Sequence, residues 1–352
     1  MNILFDVNHP AHVHFFKHPI WELEELGHNC LVTSREKDVT VELLDEYDLD
    51  HQPLTSQGSG LVSLATEWAI RGAKMVNVAR KFSPDVIVSR PNPVAVHTAS
   101  LFRCPVILFS DSDVSSAGSV VQQAVQKTSY PFADLICTPK SLNWDFGESH
   151  CRLNGYFELS YLHPDRFEPK PELLSAHGID PESRFFVLRF ISWEAYHDED
   201  QSGLSRSTKQ RMVEYLSDLG DVYITSESEL PGEFEQYRLP LPPSVIHHAL
   251  YYADLYVGDS QTMATEAAIL GTPTVRSNSF AGDDDMSNFI ELEETYKLMY
   301  STPNENDALD RIMELAADED APREWSERRA NLIEETSDIT EDIVSAILER
   351  VR

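Results

Sequence analysis

Tyr252-Ala-Asp-Leu-Tyr-Val-Gly-Asp-Ser-Gln-Thr-Met-Ala-Thr-Glu-Ala-Ala-Ile-Leu-Gly-Thr-Pro-Thr-Val275 runs through a strand, a polar turn, a helix, a glycine stop and the start of another strand. Leu255 to Val257 is the apolar strand, and Gly258 permits a sharp exit. Asp259 or Ser260 is placed to cap a helix whose first amides point at whatever lies above the strand end. Thr262 and Glu266 stand four residues apart and share one helix face, Thr262 by the positive N-terminus and Glu266 one turn along. Phosphates suit the first-turn amides and the hydroxyls of Ser260 and Thr262, with Gln261 beside them; ribose hydroxyls suit the Glu266 carboxylate. Gly271 ends the helix and Pro273 opens the next strand. The competing reading is an ordinary strand–helix unit with a solvated glutamate, because one glycine loop is a weak motif.

Outward from this segment, apolar runs alternate with helical patterns along the whole chain. The first series is Asn2–Val7, Asn29–Thr33, Val86–Ser89, Val106–Ser110 and Leu135–Thr138. The second is Phe185–Arg189, Val222–Thr225, Val245–His247, Leu255–Val257 and Pro273–Arg276. Alternation of this kind predicts an α/β protein with mostly parallel sheets covered by helices. Between the series, 157–183 carries Pro164, Pro169, Pro171 and Pro181 around one short helix candidate, Glu172–His177. That stretch is the expected linker. The expected organisation is an α/β domain over 1–160, a second, nucleotide-binding one over 161–335, and a final helix over 336–352 that crosses back to the first. Ile339, Ile343, Ala346 and Ile347 form the apolar stripe of that helix.

At 352 residues the chain exceeds what one core usually supports, consistent with two domains. Its 59 acidic and 28 basic residues give a net charge of -31, and only nine of the 28 are lysines. Such a surface repels polyanions, which excludes nucleic acid as a partner and disfavours anionic membranes. A 41% hydrophobic content rules out a disordered chain. Acidity with arginine preferred over lysine matches the style of salt-loving archaeal proteins. Cys30, Cys104, Cys137 and Cys151 lack paired metal spacing and read as free thiols in a reducing compartment. The chain begins directly in a strand and contains no run long enough to span a bilayer, so a cytoplasmic protein is expected. Phe15, Phe16 and Trp21 leave peripheral contact with a lipid-linked acceptor open, although they equally suit a helix's core face. The acidic cluster at 283–285 is expected to be solvated.

Four strand-end loops carry candidate chemistry. The first, Asn8-His-Pro-Ala-His-Val-His14, is histidine-rich where dinucleotide folds are glycine-rich, and His9, His12 and His14 are candidates for proton transfer near neutrality. Capping of the turn is the alternative, and a metal site is not expected. Ser89-Arg-Pro-Asn-Pro93 offers Arg90 and Asn92; Ser110-Asp-Ser-Asp113 offers Asp111 and Asp113 as a base or as the carboxylate that orients an imidazole. In the second half, Arg189 ends a strand and opens a long polar loop with Trp193 and Glu194; its guanidinium can pair with two phosphate oxygens. Of His247 and His248, the second is the candidate for a place near a nucleotide base.

With these residues in place, the chain resembles the GT-B superfamily, which holds nucleotide-sugar glycosyltransferases and the UDP-N-acetylglucosamine 2-epimerases. More closely, NHPAHVHFF at 8–16, RFISWEAYHD at 189–198 and GDSQTMATEAAILGTP at 258–273 are similar to the domain-of-unknown-function 354 family. The resemblance implies two Rossmann-like domains facing across a cleft. It implies a nucleotide-sugar substrate, with a UDP-sugar expected and no obligatory cofactor, bound through Ser260, Thr262 and Glu266. It places His12 where several glycosyltransferases carry a base or a group that stabilises departing charge, with Asp111 as the residue to hold its ring. Epimerases have an acid in the loop that here reads Arg90-Pro-Asn92, and a histidine in the loop that here reads Phe190-Ile-Ser192. Sugar transfer is therefore expected ahead of epimerisation or of a non-catalytic binding module.

Overall fold

The computed structural model describes residues 1–56, 61–112, 120–191, 204–226, 229–278, 281–282 and 285–350. The chain divides into two compact units, Met1–Arg166 with Ser337–Arg352, and Phe167–Thr336. Both are α/β, each built on one wholly parallel sheet.

The first sheet has seven strands: β1 Asn2–Val7, β2 Asn29–Glu36, β3 His51–Ser56, β4 Val86–Ser89, β5 Val106–Phe109, β6 Leu135–Pro139 and β7 His150–Leu153. Their order is β3-β2-β1-β4-β5-β6-β7, every neighbour parallel. The central strands are apolar on both faces because helices cover both; Ile3, Leu4, Phe5, Val86, Ile87, Val88, Ile107 and Leu108 have no exposed surface. The chain leaves β1 for β2 and β3 on one side, then returns to place β4 on the other. This reversal puts a crevice at the carboxyl ends of β1 and β4, where doubly wound sheets bind ligands.

The second sheet has five strands: β8 Phe185–Phe190, β9 Asp221–Ser226, β10 Leu255–Gly258, β11 Thr274–Ser277 and β12 Tyr300–Thr302, in the order β12-β11-β10-β8-β9. Its order reverses between β8 and β10. The expected strand over Val245–His247 is instead a 3₁₀ turn, Pro243–Val245, feeding the helix Ile246–Tyr252. The physical reason is the burial pattern: His247 and Leu250 are buried three residues apart, a helical spacing that a short apolar run does not reveal.

The stretch 324–352 folds as two helices, Ala321–Glu335 and Thr340–Arg350, the break falling at Thr336–Ile339. The apolar stripe of the second packs into the first unit, with Ile339, Ile343 and Ile347 without exposed surface. Phe15 and Phe16 are not surface anchors: they are 2% and 0% exposed, stacked among Phe5, Phe109 and Phe157. The helix Pro10–Glu25 turns that face to the sheet. No described helix is long and apolar enough to cross a membrane.

Candidate functional site

In the second unit the reversal point is formed by the ends of β8 and β10. Parallel register lines up Thr225, Arg189, Gly258, Arg276 and Ser301 across β9, β8, β10, β11 and β12. Residues level with one another in parallel strands share a face, so two arginines flank a glycine. Gly258 is required by close approach: a Cβ there would lie 2.5 Å from the Tyr256 hydroxyl and 2.7 Å from the Arg189 carbonyl oxygen. The Arg189 guanidinium donates from Nη1 to Thr225 Oγ1 at 2.9 Å. Arg276, fully buried, donates from Nε to Ser301 Oγ at 3.2 Å, lies 3.9 Å above the Phe289 ring and pairs with Asp285. Asp285 is therefore a buried counter-ion and not part of a solvated acidic loop; positions 283 and 284 lie outside the described residues.

The helix after β10 is Gln261–Leu270, capped by Ser260, whose Oγ accepts from Met263 N at 3.4 Å. Asp259 does a different job: its carboxylate accepts from Ile191 N at 2.9 Å and ties the end of β8 to β10, while burial pushes its pKa up. Ser260, Gln261 and Thr262 are half-buried in the first turn, where three amides and the helix dipole favour an anion. Gly271 ends the helix at φ 83°. Glu266 is not solvated. It is 4% exposed and bonded through Oε1 to His247 Nε2 at 3.0 Å. His248, the expected member of the pair, packs with its ring tilted against Phe167 and accepts from Lys170 N at 3.1 Å, at the entry to the unit. The helix phase decides between the two, turning His247 inward.

Tyr256 Oη and Arg276 Nη1 have no hydrogen-bond partner among the described residues. Burial holds the Tyr256 phenol neutral, its pKa well above the ordinary range, with Arg189 and Arg276 both near enough to oppose that shift. Neither residue is among the sequence-derived candidates. Gly258 next to an aromatic two residues earlier is the signal that points to them.

In the first unit the carboxyl ends of β1 and β4 converge on Asp6, which has no exposed surface. Its Oδ1 accepts from Thr33 Oγ1 at 2.8 Å and from Arg71 Nη2 at 2.6 Å; its Oδ2 accepts from Asn8 Nδ2 at 3.1 Å and from Asn92 Nδ2. One carboxylate thus fixes both loops. Asn92 also caps the helix Pro93–Phe102, its Oδ1 accepting from Val94 N at 2.9 Å. A single Asp in the apolar run Asn2–Val7 was the available sequence signal.

The histidines of the first loop separate. His9 caps the helix Pro10–Glu25, Nδ1 accepting from Ala11 N at 3.2 Å. His14 is buried, stacked on Tyr161 and bonded to Tyr47. His12 is half-buried at the strand end; its Nδ1 accepts from Asn8 N at 3.3 Å. Burial, then the charges of Arg90 and His9, lower its pKa well below the ordinary value. The ring is therefore neutral, and with Nδ1 accepting, its proton resides on Nε2. That Nε2–H is a hydrogen-bond donor. Asp111 is not its orienting carboxylate: it pairs with Arg90, whose guanidinium also lies 4.8 Å above the Phe157 ring. The physical reason is charge: a permanent cation on the neighbouring strand end outcompetes a neutral imidazole. Asp113, Trp193 and Glu194 lie outside the described residues. Among the described residues, no group of three or more His, Cys, Asp or Glu is placed to hold a metal ion.

The profile of the family described as "Protein of unknown function (DUF354)" matches residues 1–348. An uncharacterized protein of Methanocaldococcus jannaschii is 22% identical over 295 residues, covering 78% of this chain and 81% of its own. Among solved structures, UDP-GlcNAc 2-epimerase from M. jannaschii aligns at TM-score 0.66 and 13% identity, over 99% of both chains. UDP-GlcNAc 2-epimerase from Neisseria meningitidis bound to UDP-GlcNAc aligns at 0.66 and 10% identity, over 100% of this chain and 99% of its own. A glycosyltransferase of Streptomyces sp. SF2575 complexed with thymidine diphosphate aligns at 0.63 and 14% identity, over 99% of each. The fold is that of the GT-B group.

Proposed function

The chain belongs to the DUF354 family, and from that premise we propose that it is a GT-B glycosyltransferase that moves a sugar from a nucleotide donor, a UDP-sugar, to an acceptor hydroxyl without a metal. The observation that carries this reading is the end of β10: Gly258 flanked in register by Arg189 and Arg276, followed by the open first turn Ser260–Thr262 and the buried Glu266. That sequence of groups suits a nucleoside diphosphate from one end to the other. First-turn amides and Arg189 take the diphosphate, supplying without a metal the positive charge that a departing nucleotide needs. Glu266, held by His247, takes the ribose hydroxyls. His12, neutral with Nε2–H outward from its Asn8 contact, is assigned to donate to developing negative charge and not to deprotonate the acceptor.

The fold alone is shared by epimerases and transferases, so the discriminating experiment uses chemistry. The protein, in high salt, is incubated with UDP-N-acetylglucosamine alone and then with acceptor panels. Epimerisation needs no acceptor and transfer does. Transfer dependent on an added acceptor supports the proposal; isomerised sugar in the acceptor-free tube overturns it in favour of an epimerase. Binding without turnover across the panels would leave a nucleotide-sugar-binding module.

A further inference from the structure

Cys137 lies in β6 and Cys151 in the edge strand β7, and the parallel register sets them directly opposite one another. Neighbouring strands run about 4.8 Å apart in the hydrogen-bonding direction, and opposed residues project from one face. That separation falls within the roughly 4.4–6.8 Å between Cα atoms that a disulfide spans. Both cysteines are free thiols; Cys137 is buried and Cys151 half-buried.

The two thiols differ in acidity for a structural reason. Their mutual interaction lowers the Cys151 thiol and raises the Cys137 thiol, which favours thiolate at Cys151 and holds the proton on Cys137. Cys151 is lowered to about 7 although burial and the carboxylates of Asp342 and Glu349, on the helix Thr340–Arg350, oppose the change. Cys137 is raised well above the usual thiol value, with Arg350 of the same helix opposing. Burial pushes Cys30 up to about 12 and Cys104 up to about 11. At pH 8 the thiolate population of Cys151 then exceeds that of Cys104 by on the order of a thousandfold. The lower intrinsic nucleophilicity of the more acidic thiol returns part of that thousandfold difference, leaving about tenfold in rate.

We infer that Cys137 and Cys151 form a dithiol modification site, with Cys151 the attacking sulfur, that takes hydroperoxides and soft thiophilic electrophiles. With hydrogen peroxide, the Cys151 thiolate attacks one oxygen, the O–O bond breaks, hydroxide leaves and a sulfenic acid forms. The Cys137 sulfur then displaces the sulfenic hydroxyl, and its proton leaves with that hydroxyl as water. Two thiols and one peroxide become one disulfide and two waters, the thiols oxidised and the peroxide reduced. The product links the edge strand to its neighbour just before Asn154, whose carbonyl accepts from Ser337 N at 3.0 Å and so seats the return of the C-terminal segment.

The full-length protein is treated with limiting iodoacetamide at pH 8, and separately with hydrogen peroxide, then digested without reduction and read by mass spectrometry. The expected results are labelling of Cys151 at least about tenfold faster than of Cys30 or Cys104, and a peroxide-dependent peptide linking 137 to 151 with a titre lower by two thiols. Cys137→Ser should trap a dimedone-reactive sulfenic acid at Cys151, and the linked wild-type peptide keeps the test valid if that variant does not fold. Labelling of Cys151 no faster than of Cys104 would overturn the inference. So would accumulation of dimedone adduct on wild-type Cys151 without the linked peptide, the result expected of two core cysteines that merely touch.

Discussion

Gly258→Ala tests the architecture of the nucleotide end most directly. The added Cβ would stand 2.5 Å from the Tyr256 hydroxyl, 3.0 Å from Tyr256 Cζ and 2.7 Å from the Arg189 carbonyl oxygen, where ordinary contact begins at 3.4 Å. The carbonyl belongs to β8, paired in register with β10, so it retreats only if the two central strands part. Tyr256 is fully buried and has no free side to move into. Overpacking of this kind costs about 1–3 kcal/mol, and a clash against both backbone and ring belongs near the upper end. For a unit of this size, about 3 kcal/mol lowers the unfolding midpoint by roughly 6–12 °C. Calorimetry in high salt measures the shift, and binding of UDP measures the accompanying displacement of Arg189. Tyr256→Phe in the same chain removes the nearest atom but leaves the ring and carbonyl contacts, so the pair should recover part of the loss, with coupling of about 0.5–3 kcal/mol. A single variant within about 0.5 kcal/mol of wild type, or a double variant no better than the single, would refute the reasoning.

Glu266→Ala is expected to weaken UDP far more than free pyrophosphate, because only the nucleoside presents hydroxyls to that carboxylate; calorimetric titration with both ligands checks this, and equal losses would remove the ribose role. Asp6→Asn keeps the shape but strips the buried Arg71 guanidinium of its counter-ion, so a loss of about 3–5 kcal/mol is expected in denaturant unfolding, and a loss below about 1 kcal/mol would contradict the hub. His12→Asn should lower turnover about a hundredfold or more, the cost of losing one donor to developing charge, with nucleotide affinity unchanged. The pH dependence follows from sign: a pKa lowered by burial keeps His12 neutral throughout the neutral range, so protonation of His12 affects the rate only as pH falls through that lowered value. A rate profile with a His12-dependent limb near the ordinary imidazole value would show the ring to be exposed and the donor assignment to be mistaken.

What was legible in the sequence and what was not divides along one physical line. The central strands announce themselves because parallel sheets covered on both faces demand unbroken apolar runs, as in Phe185–Leu188 or Val106–Phe109. Three of the four edge strands, β3, β7 and β12, carry His51-Gln-Pro, His150-Cys-Arg and Tyr300-Ser-Thr, sequences with no such demand, and they pass for loops; the fourth, β9, buries Val222 and Ile224 in alternation and is readable. The glycine turn and the cap at Ser260 were equally readable, since they are local in sequence. Pairings were not. Whether Asp111 meets His12 or Arg90, and whether Asp285 meets water or Arg276, depends on strand order. In each case the fixed cation took the carboxylate. His247 and His248 differ by one helical step, about 100° of rotation, so the choice of which meets Glu266 required the helix that the apolar run at 245–247 concealed. Asp6 shows the converse: a charge within a strand whose every other need is apolar is costly to bury unless several donors converge on it. Such a residue can be singled out before any partner is known, and here four donors from four different segments answer it.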